Sequence, residues 1–93
     1  MSTAIPARHL TWNVQVAIDE TDDETRAKAT VEVDGHPVTG WGRARRNPAD
    51  PRVPRIGEEL AVARALGELS HRLLDAAVVE IEQFSSRDVR VHP

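Results

Sequence analysis

The stretch AKATVEVDGHPVTGWG, residues 27–42, decides the fold. Asp34-Gly35 stands at its centre, and such a pair is a strong hairpin signal because both central positions of a type I′ turn need positive φ. Residues on the incoming side alternate: Ala27, Ala29, Val31 and Val33 share one face, Arg26, Lys28, Thr30 and Glu32 the other. Folding the chain back at the turn sets Val31 against Val38, Ala29 against Gly40 and Ala27 against Gly42. Each inward residue then meets another inward residue, so the register is self-consistent. The returning strand is expected from about Pro37 to Arg45, with Pro37 tolerated at its start.

Working outward, Leu10, Trp12, Val14, Val16 and Ile18 alternate with Thr11, Asn13 and Gln15, which predicts an earlier half-buried strand. Asp19, Glu20, Asp22, Asp23 and Glu24 follow, a mutually repelling run suited to a solvated turn. After the hairpin, Pro48, Pro51 and Pro54 restrict a loop. A single long helix is then expected, roughly Gly57 to Phe84. Gly57 would be its N-cap, and Glu58 and Glu59 would lie in the first turn, where the helix dipole favours acids. Its apolar arc includes Leu60, Leu66, Leu69, Leu73, Val78 and Ile81. Residues 1–9 and 85–93 are expected as tails around one domain, 10–84.

These elements give an α+β fold: a three-stranded antiparallel meander with one long C-terminal helix packed on one face. Gly40 and Gly42 lie inside a strand, where glycine marks a close backbone approach. The helix is expected to sit low over them, with Trp12 filling the deeper side and Leu66 and Leu73 in the stripe toward the sheet. A helix of that length exceeds the sheet beneath it, and the sheet's other face and edges are left uncovered. Unburied apolar surface on a small domain asks for a partner, which predicts a homodimer.

Composition excludes several classes of function. The chain has 93 residues and no cysteine, so disulfides, cysteine zinc sites and thiol chemistry are ruled out, and a reducing cytoplasm fits. The longest run free of Asp, Glu, Lys and Arg is His9 to Ile18, too short to span a bilayer. Met1 to Arg8 lacks the apolar region of a secretory signal. His9, His36, His71 and His92 are too far apart for a zinc pattern, and no serine or threonine has a placed histidine base. No cofactor, metal, small-molecule substrate or catalytic residue is expected, and the chain does not read as an enzyme.

One basic concentration stands out. Arg43, Arg45, Arg46, Arg52 and Arg55 fall within thirteen residues, in a chain of net charge −3. Together with Arg26, Lys28 and Trp41 on the outer sheet face they form a candidate nucleic-acid or partner surface with an aromatic platform. The alternative is a solvated face on which Lys28 lies over Trp41 as a cation–π pair.

Three blocks resemble a known family: Thr25-Arg-Ala-Lys-Ala, then Gly40-Trp-Gly-Arg-Ala-Arg-Arg-Asn-Pro-Ala-Asp, then Ile56-Gly-Glu-Glu-Leu-Ala-Val-Ala-Arg-Ala-Leu. They are similar to a family of small actinobacterial proteins of unknown function, over about Trp12 to Glu82. The resemblance implies a β-β-β-α fold like that of double-stranded-RNA-binding domains and dimers like those of ribosome hibernation promoting factors. It also implies an association with hypoxia or dormancy, as a stress response. Two functional readings stand: a non-enzymatic homodimer acting through protein or ribosome contacts, and an RNA- or ribosome-binding module using the arginines.

Overall fold

Asp34 and Gly35 adopt φ of 51° and 79°, the left-handed pair that a two-residue hairpin requires. This turn joins β2 (Glu24–Val33) to β3 (His36–Arg45), and the register is the expected one: Val31 opposite Val38, Ala29 opposite Gly40, Ala27 opposite Gly42. The computed structural model describes residues 7–91, with side chains through Ser85. Residues 1–6 of the expected N-terminal tail, and 92 and 93 of the C-terminal one, lie outside the described residues. β1 (Gln15–Glu20) pairs antiparallel with β2, so the sheet order is β1-β2-β3. One helix, α1 (Pro54–Val91), follows.

The helix rests on β3 through backbone, not through large side chains. Ala61, Ala65 and Leu69, four residues apart, are buried against Ala27, Ala29, Val31 and Ala44 of the sheet. A Cβ added at Gly40 would overlap the backbone of Ala65 and Leu69, and one added at Gly42 the backbone of Ala61 and Ala65. Close approach is therefore why both positions are glycine. Val31 is the largest fully buried side chain, so the core is shallow.

Several expectations are corrected. β1 begins at Gln15, not Leu10; residues 7–14 have no regular secondary structure. Trp12 does not fill the core but stays 56 % exposed. The helix starts three residues before Gly57, because Pro54 suits the first helical position, where its missing N–H goes unneeded. Gly57 is thus inside the helix, where a Cβ would press on the buried Thr25 hydroxyl, and Glu58 and Glu59 fall beyond the first turn. Leu66 is exposed and Leu73 half-buried, because the sheet-facing stripe follows the alanines.

Candidate functional site

The acidic turn and the arginines, distant in sequence, meet at one end of the sheet. Thr21 donates its N–H to the Glu24 carbonyl at 2.8 Å and its Oγ1 accepts the Glu24 N–H at 3.1 Å, closing the β1–β2 turn. The register then sets Glu24 opposite Arg45 and Arg26 opposite Arg43. Glu24, only 18 % exposed, lies 3.2 Å from Arg26 Nε, 3.5 Å from Arg43 Nε and 3.8 Å from Arg45. Arg46 donates to Asp23 Oδ1 at 3.3 Å and to the Asp50 carbonyl at 3.0 Å, tying the turn to the proline loop. Arg52 pairs with Asp22.

Of the eight basic-surface candidates, Arg26, Arg43, Arg45, Arg46 and Arg52 thus face carboxylates of one turn. Lys28 Nζ lies 5.4 Å from the centre of the Trp41 ring, the expected cation–π pair. Arg55 makes no ion pair among the described residues. The arrangement is a charge clamp holding turn, loop and strand ends together. Sequence reading located both halves but not their mutual neutralisation, which only the fold brings about.

Behind the clamp is a cleft of about 320 Å³, floored by Thr25, Ala44, Val53, Ile56 and Leu60. The separate strand, loop and helix patterns gave no sign of it. At its edge the Glu20 carboxyl titrates above its ordinary value. A hydrogen bond to the Glu58 side chain is the main cause; partial desolvation and the Glu58 charge add to it, and Arg52 opposes it. Among the described residues no group of three or more His, Asp or Glu is placed to hold a metal ion. No described helix is long and apolar enough to cross a membrane.

The two edges of the sheet differ. In a two-residue hairpin the closing pair is hydrogen-bonded, so Trp41 and Arg43 point their backbone groups away from β2. The Trp41 N–H donates to Glu68 Oε1 at 2.7 Å, and Arg64 Nη1 donates to the Arg43 carbonyl at 2.7 Å. The helix therefore caps the β3 edge, contrary to the expectation that both edges lie uncovered. By the same alternation Val16 and Ile18 of β1 point their backbone groups outward, and no cap reaches them among the described residues.

The helix lies over β2 and β3 and barely touches β1. Val16 and Ile18, on the helix side of β1, remain 38 % and 44 % exposed. At 100° per residue, Arg64 and Glu68 mark the β3 side of α1, so Leu66 and Leu73 lie on the β1 side. An open apolar trough results, with β1 as floor and this flank of the helix as wall.

A family model described as Rv2632c-like matches residues 10–90. The chain belongs to the Rv2632c-like family. Among its relatives, the uncharacterized protein Mb1767 of Mycobacterium bovis is 44% identical over 80 residues, which are 86% of this chain and 85% of that one. The uncharacterized protein Rv2632c of Mycobacterium tuberculosis is 42% identical over 79 residues, 85% of each chain. A crystal structure of Rv2632c superposes with a TM-score of 0.75 at 40% identity, covering 88% of this chain and 94% of that one. These Rv2632c-like relatives are uncharacterized and bear no enzyme name.

Proposed function

We propose that this chain works as a non-enzymatic, cytoplasmic homodimer that acts by contact with other macromolecules, proteins or the ribosome, under stress or dormancy. The observation that carries the dimer is the open trough: an apolar strand face and an apolar helix flank lie side by side, and none of the described residues covers them. Covering that surface offsets the shallow core, which is built largely of alanine and two valine-sized or larger side chains. The family resemblance in the sequence blocks, which implies dimers like those of hibernation factors, is what favours ribosomal contact and a role in dormancy.

The second reading, an RNA-binding module like a double-stranded-RNA-binding domain, draws support from Trp41, which is 56 % exposed with Lys28 above it. Against it stands the clamp: an arginine already facing a carboxylate must give up that contact before it can hold a phosphate.

Light scattering at tens of micromolar tests the dimer, and a mass near 10.3 kDa would refute it. Titration with ribosomes and duplex RNA then separates the readings. Contact through three to five phosphates predicts a log–log salt slope of roughly −2 to −4, whereas protein-mediated ribosome binding predicts a shallower slope and no affinity for naked RNA.

A further inference from the structure

We propose that two copies pair along β1 across a two-fold axis at Val14, so that residues 8–20 of each chain form one continuous antiparallel ladder. The inference rests on the homodimer reading and specifies which surface makes it.

Three observations converge. The β3 edge is occupied by Glu68 and Arg64, whereas the β1 edge has no cap among the described residues. An uncapped, apolar edge strand is a template for another strand. Residues 10–14 keep the alternation of β1, yet they belong to no ladder within the chain and leave Leu10, Trp12 and Val14 exposed. The sequence, moreover, is complementary to itself in one register.

That register follows from pairing rules. Even-numbered residues of β1 point their backbone groups outward, so they must pair with one another. Placing the axis at Val14 sets Trp12 opposite Val16 and Leu10 opposite Ile18, so that every apolar residue of the inner face meets an apolar one. On the outer face Asn13 meets Gln15, Thr11 meets the small Ala17, and His9 meets Asp19. Arg8 falls opposite Glu20, beside which Glu58 sits in hydrogen-bond contact, so a cation enters where two carboxylates crowd. Moving the axis to residue 15 or 16 puts Leu10 or Trp12 against Glu20. Moving it to 13 puts Arg8 against Ile18. Of these registers, only the one at Val14 matches apolar with apolar along the inner face and sets no like charges or apolar–charged pairs opposite one another.

In such a dimer the trough of each copy opens onto the trough of the other. The floor becomes two β1 strands side by side, and Leu66 and Leu73 of both helices look inward over it.

The chain's lack of cysteine makes a crosslinking test clean. In the proposed register the two Val14 Cα atoms lie about 5.5 Å apart, within disulfide range. The two Ile18 Cα atoms, four residues from the axis in each copy, lie about 27 Å apart. Val14→Cys in the full chain should therefore crosslink nearly completely in an oxidising glutathione buffer. Ile18→Cys, equally exposed on the same face, should not. Light scattering of both reduced variants accompanies the test. A dimer in which Val14→Cys fails to crosslink, or Ile18→Cys crosslinks equally fast, overturns this pairing while leaving the homodimer intact. A monomer removes the homodimer and this pairing with it. As a second measurement, Arg8→Glu should weaken dimerisation about tenfold, and Glu20→Arg in the same chain should restore it. Loss without rescue would argue against the Arg8–Glu20 contact and hence against the register.

Discussion

Gly42 lies where one missing methyl group decides how close a helix comes to a strand. An added Cβ would sit inside the van der Waals radii of the Ala61 carbonyl oxygen and the Ala65 nitrogen. These are backbone atoms, so the helix as a whole must lift. Gly42→Val should therefore destabilise the fold by about 3 kcal/mol, at the high end for overpacking, and lower Tm by more than 10 °C for a domain of about this size. An unchanged thermal melt would mean that the helix does not touch β3 there. Glu20 makes a different kind of residue-scale statement. Its folded pKa is raised above the ordinary 4.5 by the Glu58 hydrogen bond. A carboxyl raised on folding contributes stability while protonated, below its unfolded pKa, and loses that contribution as pH climbs through the folded value. Glu58→Gln removes the crowding charge and still offers a hydrogen bond. Its Tm advantage over the parent should be present at neutral pH and vanish near pH 4; an advantage that is constant across pH would show that Glu58 acts through packing.

Among the elements, β3 shows how the helix protects an edge. Glu68 accepts the outward Trp41 N–H, and Arg64 caps the Arg43 carbonyl. Glu68→Ala should cost about 1 kcal/mol, the usual worth of one hydrogen bond, and should speed amide exchange at Trp41 specifically, a change followed by NMR. Unaltered exchange at that amide would refute the cap. This contact was not legible in the sequence, because a glutamate within a long helix does not reveal which strand edge it will reach. The hairpin was legible, because Asp34-Gly35 fixes the turn type and the alternation around it admits one register. The close approach at Gly40 and Gly42 followed from their place inside a strand. The ends of β1 and α1 did not. Alternation over residues 10–18 says which residues share a face, not where a neighbouring strand stops supplying hydrogen bonds. Pro54 was read as the end of a loop because the same residue that breaks a helix interior also favours its first turn. The sheet-facing stripe was misplaced for a related reason: Leu66 is more apolar than Ala61 or Ala65, but the small alanines on either side of Gly42 let the helix settle onto the glycines.

For the whole molecule, the mismatch between helix and sheet governs association. The 38-residue helix extends about 57 Å, and a ten-residue strand about 33 Å. Past Leu73, which packs at the margin of the core, the helix runs beyond the hairpin turn with Leu74, Val78 and Ile81 exposed. Apolar surface exposed in one copy costs that copy nothing when it is made polar, since surface substitutions usually fall within about 0.5 kcal/mol. The same change is costly if a second copy covers it. Folding coupled to dimerisation depends on concentration: a hundredfold rise in protein adds up to about 2.7 kcal/mol by mass action, equivalent to roughly 10 °C or more in a domain of this size. The parent chain should thus melt higher at high concentration than at low. Leu66→Lys, on the helix flank that walls the trough, should match the parent at the dilute end and fall progressively below it as concentration rises. Calorimetry at two concentrations about a hundredfold apart measures both curves. If the parent's Tm is the same at each, no second copy contributes to the fold. If Leu66→Lys is destabilised equally at each, Leu66 acts within one chain and the trough is covered without a second copy.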